Sequence, residues 1–124
     1  MVKSMNTKVE LVTSATYFVG LSSNGKIMIG DKAFEYYDDR NPNNYVQIPW
    51  NEVDKAIAAV YFNRWIPRFI IRTKRNGQFR FSAKNNKKVL RAVRNHIPAD
   101  DIVRSLTFFQ GISRGIKRIF TRNN

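Results

Sequence analysis

Apolar and polar residues alternate along much of the first half of the chain, which predicts β-strands that bury one face. Residues 8–19 are rich in β-branched and aromatic side chains and predict the first strand. Pro49 ends the last strand of this part of the chain. Between these limits we predict strands at 26–29, 33–37 and 45–48, turns at 22–25 and 30–32, and a polar loop at 38–44.

The segment 50–62 fits two patterns. Val53, Ile57 and Val60 have the spacing of a helix, whereas the apolar run from Ala58 to Phe62 is typical of a strand. We interpret the segment as a short turn at 50–52 followed by a strand.

Residues 65–83 predict a β-hairpin that turns near Asn76-Gly77. A two-residue turn there would mix charged and apolar side chains on one face. A three-residue loop, Arg75-Asn76-Gly77 with Gly77 left-handed, separates the two faces, so burial selects it. The apolar face then carries Phe69, Ile71, Thr73, Phe79, Phe81 and Ala83. Like charges on neighbouring strands repel unless an anion faces them, so we predict that the opposite face is a basic docking surface, and the alternative is a solvated face of the sheet. We call this face the hairpin patch: Arg68, Arg72, Lys74, Arg80 and Lys84.

Two helical stretches are predicted after the hairpin. The first runs over residues 87–97, is capped by Asn85 or Asn86, and ends at Pro98. Its buried stripe consists of Val89, Leu90, Val93 and Ile97. The second starts at Ala99-Asp100-Asp101, whose carboxylates suit the positive end of the helix dipole, and runs through residue 106. Several antiparallel strands followed by helices predict the α+β class.

The C-terminal segment 106–122 predicts an amphipathic basic helix. At ~100° per residue its apolar residues share one side, as a membrane or packing face, and its basic residues share the other. Two alternatives stay open: the apolar face contacts an anionic membrane surface, or it packs on the domain's own sheet. The apolar face is Phe109, Ile112, Ile116, Ile119 and Phe120, and the basic face is Arg114, Lys117, Arg118 and Arg122.

The distribution of charge suggests a polyanionic partner. The chain has 124 residues, room for one domain, and a formal net charge of +13. Residues 1–63 hold six basic and seven acidic residues, whereas residues 64–124 hold sixteen basic and two acidic residues. Solubility alone would not require one neutral half, so the excess points to nucleic acid, anionic lipid or an acidic protein face.

Catalytic and metal-binding chemistry finds little support in the sequence. There is no Cys, which excludes thiol catalysis and Cys-based metal sites. Ser113 lies in a G-x-S-x-G pattern, but the strand that a nucleophile elbow needs is not predicted before it. His96 lies in the last turn of its predicted helix, and we interpret it as an exposed or C-terminal helical histidine rather than as a catalytic or metal-binding residue. We therefore expect no catalytic residue, no metal and no cofactor. No apolar run reaches the ~20 residues of a membrane span, and no secretory signal is evident.

Several segments together carry a family resemblance. They are NGKIMIGDKAFEYYDDRN at 24–41, IPWNEVDKAIAAVYF at 48–62, WIPRFIIRTKRNGQFRFSAK at 65–84 and KKVLRAVRNHIPADDIVRSLTFF at 87–109. They resemble the ManO family, domain of unknown function 956, from about residue 4 to residue 118. GKIMIGDKAFE and IPW are the specific parts of this likeness.

The resemblance implies a fold similar to pleckstrin-homology-like domains, a bent antiparallel sheet closed by the helix at 87–97. We accordingly expect such a domain at 1–98 and a C-terminal helical extension at 99–124. The resemblance also implies that the protein is a non-enzymatic accessory or regulator of a mannose-class sugar phosphotransferase system. The partners are then the subunits of that transporter. The expected location is cytoplasmic, with peripheral attachment at the inner membrane face through anionic lipid. The alternative is a nucleic-acid-binding regulator of the sugar operon, although the hairpin's aromatic and basic residues lie on opposite faces. Whether the protein binds a small-molecule ligand is left open.

Overall fold

A computed structural model describes residues 2–62, 64–75 and 77–104. Within these residues the chain forms eight strands, one α-helix and two single 3₁₀ turns. The 3₁₀ turns are Trp50–Glu52 and Ala99–Asp101. The strands and helix are β1 (Val9–Val19), β2 (Leu21–Gly30), β3 (Ala33–Asp38), β4 (Tyr45–Pro49), β5 (Val53–Tyr61), β6 (Trp65–Thr73), β7 (Gln78–Ala83), α1 (Asn86–Val93) and β8 (Ile102–Arg104).

The strands form a single mixed sheet in the order β4-β3-β2-β1-β7-β6-β5-β8. All neighbours are antiparallel except β5 and β8, which are parallel. This mostly β architecture with a short helix is consistent with the predicted α+β class. The strands predicted from alternation are present, including the turn-then-strand interpretation of 50–62.

The main core is built from aromatic residues of the sheet and closed by α1. Phe81 lies at its centre, with ring centroids 5.0 Å from Tyr17 and 5.2 Å from Phe34. Val89, Val93 and Ile97 are buried against these residues, as the helical stripe predicted. A smaller cluster lies apart from this core and contains Ile57, Ala59 and Ile70, with Tyr61 and Val103 packed against it.

The turn predicted at 22–25 is wrong, because β2 already begins at Leu21. The chain reverses at Gly20 instead, where φ is +54°, a left-handed conformation that glycine adopts without steric cost. Ser22 then pairs with Phe18 and Asn24 with Thr16. The polar run misled the prediction because its side chains lie on a long hairpin that extends beyond the core.

The hairpin is confirmed in its faces but not in its loop. Arg72 pairs with Gln78, and the Thr73 N–H donates to the Gly77 carbonyl oxygen at 2.8 Å. The loop therefore begins at Lys74 rather than at Arg75, and Gly77 does not have the positive φ that we predicted. This register differs by an even number of residues from the predicted one, so the same side chains face the core.

The segment after the hairpin contains a shorter helix and an unpredicted strand. Asn85 is the N-cap, and its side-chain oxygen accepts a hydrogen bond from the Lys88 N–H at 3.1 Å. The helix ends at Val93, before the predicted residue 97. The second helical stretch is wrong over residues 102–104, which form β8 and pair with β5. Their β-branched Ile102 and Val103 complete the sheet edge. The boundary predicted at residue 98 stays a prediction.

Residues 4–8, the N-terminal arm, lie against β3 and the turn before it. Glu35 is fully buried and accepts hydrogen bonds from Ser4 Oγ at 2.6 Å, the Met5 N–H at 2.7 Å and Asn6 Nδ2 at 3.1 Å. Gln47 Nε2 also donates to Glu35, at 3.2 Å. A Cβ on Gly30 would lie 2.5 Å from the Asn6 side chain, so this position accepts only glycine without displacing the arm.

Asp31 accepts hydrogen bonds from the end of the N-terminal arm, and we expect acid to release this part of the arm. Hydrogen bonds from the Lys8 N–H and from Thr7 hold the pKa of Asp31 well below its ordinary value. Because the pKa of Asp31 is lower in the folded chain, its ionised carboxylate stabilises the attached arm at pH values above the ordinary Asp pKa of about 4. This stabilisation is lost as the pH falls through the pKa of Asp31 in the folded chain. In an NMR titration, we expect the Thr7 and Lys8 amide signals to hold their positions to below about pH 3. Asp31→Asn should remove the transition, whereas a midpoint near 4 in the unmodified chain would contradict the contact.

Candidate anion-binding cleft

A cleft of about 380 Å³, here called the basic cleft, opens between α1, β8 and the β5–β6 connection. Its floor is apolar and includes Ala58, Ile66 and Leu90. Its rim is cationic, and none of the described residues that line it is acidic. The rim residues, all exposed, are Arg64, Lys87, Arg91, Arg94 and Arg104.

The helix supplies one wall because of its residue spacing. Lys87, Arg91 and Arg94 follow each other at intervals of four and three residues, which places them on one side of a helix. The apolar stripe with Val89 and Val93 lies on the other side of the helix and is buried in the core. Burial of that apolar stripe therefore fixes the direction in which the cationic stripe points.

A second cleft, of about 640 Å³, adjoins the first. Arg64, Ile66 and Lys87 line both clefts. The second adds the cations Arg68 and Lys84, and the exposed ring of Trp65. The two clefts together present seven cations on one continuous part of the surface.

The acidic residues lie elsewhere and neutralise other cations. The ion pairs of the described residues join Lys26 to Asp39, Lys55 to Asp101 and Arg72 to Asp54, and the Glu10 carboxylate contacts the His96 ring. None of these pairs includes a residue that lines either cleft. The clefts therefore retain their full positive charge, and a concave surface of one sign concentrates its field.

The structure divides the predicted hairpin patch. Arg68, Arg72 and Arg80 share one face of β6 and β7, but Arg72 donates to Asp54 at 2.8 and 3.0 Å and is neutralised there. Lys74 lies in the turn at one end of the hairpin, and Lys84 lies beyond the other end, in the second cleft. These five residues do not form one uniform patch.

Arg80 occupies a half-buried position on the same face. Burial, together with the nearby positive charge of Arg68, lowers the pKa of Arg80 from its usual value. A guanidinium stays charged at neutral pH even so. The proximity of these two cations makes this part of the hairpin patch a secondary candidate for anion contact.

The remaining predicted site residues lie outside the described residues. They are Phe109, Ile112, Arg114, Ile116, Lys117, Arg118, Ile119, Phe120 and Arg122, and their roles stay predictions. Ser113 also lies outside.

Conversely, sequence reasoning missed Arg64, Lys87, Arg91, Arg94 and Arg104. The spacing of Lys87, Arg91 and Arg94 was the available signal, but Arg64 and Arg104 join them only through the packing of β8 beside β5.

His96 has a structural environment. Its ring stacks on Trp50, with centroids 4.5 Å apart and planes 8° apart, and its Nε2 lies 2.8 Å from a carboxylate oxygen of Glu10. Trp50 Nε1 in turn donates to the Gly30 carbonyl oxygen at 2.9 Å. These contacts connect the end of α1 to the first strands.

Within the described ranges, no group of three or more His, Cys, Asp or Glu residues is placed to hold a metal ion.

The fold and the cleft define a mostly β domain whose basic surface lies beside its single described helix. A solved structure of similar fold is the C-terminal domain of an unknown protein from Leishmania infantum, with a TM-score of 0.64 and 9% identity. The likeness covers 72% of this chain and 83% of that one. The match at this identity concerns the fold alone.

The chain belongs to the DUF956 family, a domain of unknown function, whose family model matches residues 1–116. This confirms the DUF956 part of the sequence resemblance. Among curated proteins, none matches the chain. In the part of the chain that the structure describes, no helix is long and apolar enough to cross a membrane.

Proposed function

We propose that the protein is a non-enzymatic accessory or regulator of a mannose-class sugar phosphotransferase system. It docks through the basic cleft on an acidic surface of the transporter, or on the anionic membrane face around it, from the cytoplasmic side. The transporter enters this proposal from the sequence resemblance to ManO, and the mode of docking comes from the cleft. A pleckstrin-homology-like arrangement of the sheet and the C-terminal basic helix are parts of the same proposal.

The observation that carries the proposal is the charge on the cleft rim. Five exposed cations surround an apolar floor, and the acidic residues form their ion pairs elsewhere. Assembling like charges costs free energy unless an anionic partner compensates for it. An apolar floor below a cationic rim suits a partner surface that is both acidic and partly hydrophobic.

Affinity capture from membranes tests the partner. The tagged full-length chain is crosslinked in bacterial membranes that contain a mannose-class transporter, with and without nuclease treatment. We expect transporter subunits to be recovered in both samples, and to be lost when the crosslinking itself is carried out at about 0.5 M salt, where the Debye length is only about 4 Å. Recovery that depends on intact nucleic acid would favour the operon regulator instead, and no enrichment of the subunits would contradict the proposal.

An activity assay tests the non-enzymatic part of the proposal. We expect the purified chain to leave a phosphorylated sugar and a phosphocarrier protein unchanged. Turnover of either substrate above the background rate would overturn this part.

A further inference from the structure

The β5–β6 connection exposes two large aromatic side chains. Phe62 is 85% exposed, and Trp65, which lines the second cleft, is 58% exposed. The Trp65 ring lies 5.6 Å from the Tyr61 ring, its partner at the end of the β5–β6 hairpin. Burying a phenylalanine normally contributes to stability, so its exposure forgoes that contribution.

The backbone at Phe62 adds a second cost. Its φ is +55°, a left-handed conformation that is rare for a bulky residue and that glycine would adopt freely. Strain of this kind persists where surrounding structure imposes it and is concentrated at functional positions. An exposed aromatic ring on a strained backbone, with little contact inside the molecule, points to a contact outside it.

The surroundings of this tip are cationic. The cleft that Trp65 lines is bordered by Arg64, Arg68, Lys84 and Lys87. The chain also exposes apolar residues at the β1–β2 tip, where Leu21 is 90% exposed. The cleft beside that tip has one described cation, Arg80. Charge therefore distinguishes the two tips.

We infer that the β5–β6 tip inserts into the interfacial region of an anionic lipid bilayer, with Phe62 and Trp65 among the headgroups and the cations of both clefts against lipid phosphates. Tryptophan is favoured at this depth because its ring is apolar and its N–H is polar. Basic residues beside the tip add electrostatic attraction to anionic lipid. The inference rests on the proposed function, which supplies the reason for the protein to be at a membrane.

Lipid fits the tip better than single-stranded nucleic acid does. Base stacking uses aromatic rings presented along a backbone-binding groove. Here Phe62 lies in the turn after β5 and does not line the basic cleft, whose floor is aliphatic, with Ala58, Val60 and Ile66. Nucleic acid is accordingly an outcome of the test rather than part of the inference.

Phe62→Gly is the decisive variant, because glycine removes the ring and relieves the strain together. The full-length chain is sedimented with protein-free phosphatidylcholine vesicles, with and without phosphatidylglycerol. We expect binding only when phosphatidylglycerol is present, and ~tenfold weaker partitioning for Phe62→Gly. The Tm of this variant should equal or exceed that of the unmodified chain. Leu21→Ser is the matched control, and its partitioning should be unchanged.

Quenching by brominated lipid tests insertion directly. Trp65 fluorescence should fall when brominated phosphatidylglycerol vesicles are added, whereas Trp50 is held by its bond to the Gly30 carbonyl and should not respond. Trp65→Phe should therefore abolish the quenching. Unchanged partitioning of Phe62→Gly, or vesicle binding without quenching, would overturn the inference.

Two further outcomes separate the possible failures. If Phe62→Gly weakens binding to a single-stranded RNA while leaving vesicle binding unchanged, the tip is a nucleic-acid contact and the lipid inference is wrong. Because the vesicles contain no transporter, failure to bind them leaves the membrane capture result unaffected. A transporter recovered normally by Phe62→Gly would retain the proposed function without lipid insertion.

Discussion

Replacing Glu35 with Ala should lower the free energy of unfolding by about 3 kcal/mol, because it removes a buried acceptor that serves several partly buried donors at once. The carboxylate accepts from Ser4, Met5, Asn6 and Gln47, and the Met5 donor is a backbone N–H that has no other described acceptor. Chemical denaturation measures this loss, and a chain of this size should show a fall in Tm of about 10 °C.

Glu52→Ala is the matched control for this prediction. It makes the same chemical change at an exposed position, and should alter stability by less than about 0.5 kcal/mol. Glu35→Gln keeps the shape of the side chain but replaces one acceptor oxygen by an amide nitrogen, which would face donors. This variant therefore separates the effect of side-chain shape from the effect of lost hydrogen-bond acceptors. If Glu35→Ala and Glu52→Ala have equal stability, the N-terminal arm does not depend on Glu35.

The strands were predictable because their alternation reflects burial directly. The β6–β7 hairpin shows both the strength and the limit of that signal. Phe69, Ile71 and Phe81 face the core as predicted, because only one parity of pairing buries them. The loop was misplaced because an even shift leaves the parity unchanged, and the Thr73–Gly77 contacts that fix the register involve only backbone and one hydroxyl.

The N-terminal arm could not be predicted from local pattern. Ser4 and Glu35 are separated by 31 positions, and a buried carboxylate in an alternating strand is indistinguishable in sequence from an exposed one. The structure gives a physical reason for the GDKAFE part of the family resemblance. Gly30 admits the arm, Asp31 and Glu35 accept its hydrogen bonds, and the Ala33 carbonyl accepts from Asn6.

The cleft was predictable only in its charge. The excess of cations after residue 63 indicated a polyanionic partner, and the helix spacing would have grouped Lys87, Arg91 and Arg94. We predicted a helix over residues 102–104, however, and because of this error Arg104 was not predicted to belong to the site. A strand of three residues is too short to show periodicity, and parallel pairing with β5 is a tertiary property.

Reversing Arg91 and Arg94 together to Glu should weaken binding to transporter-containing membranes by about 100-fold at low salt. Each reversal replaces an attraction by a repulsion in a concave site, and roughly 1.5 kcal/mol for each gives this factor. The remaining binding should also depend less on salt, because fewer charges take part. Sedimentation of the full-length chain with these membranes, over a range of salt concentrations, measures both effects.

Two comparisons make this result specific to the cleft. Lys32→Glu with Arg40→Glu changes the net charge equally at exposed positions outside both clefts, and we expect binding within about threefold of the unmodified chain. Arg72→Glu with Arg80→Glu tests the hairpin patch in the same way. Glu near the end of α1 opposes the helix dipole by about 0.3–1 kcal/mol, so Arg91→Gln with Arg94→Gln is measured as well, with the Tm of each variant. Equal losses in the cleft and Lys32/Arg40 variants would show that net charge, rather than the geometry beside α1, determines membrane binding.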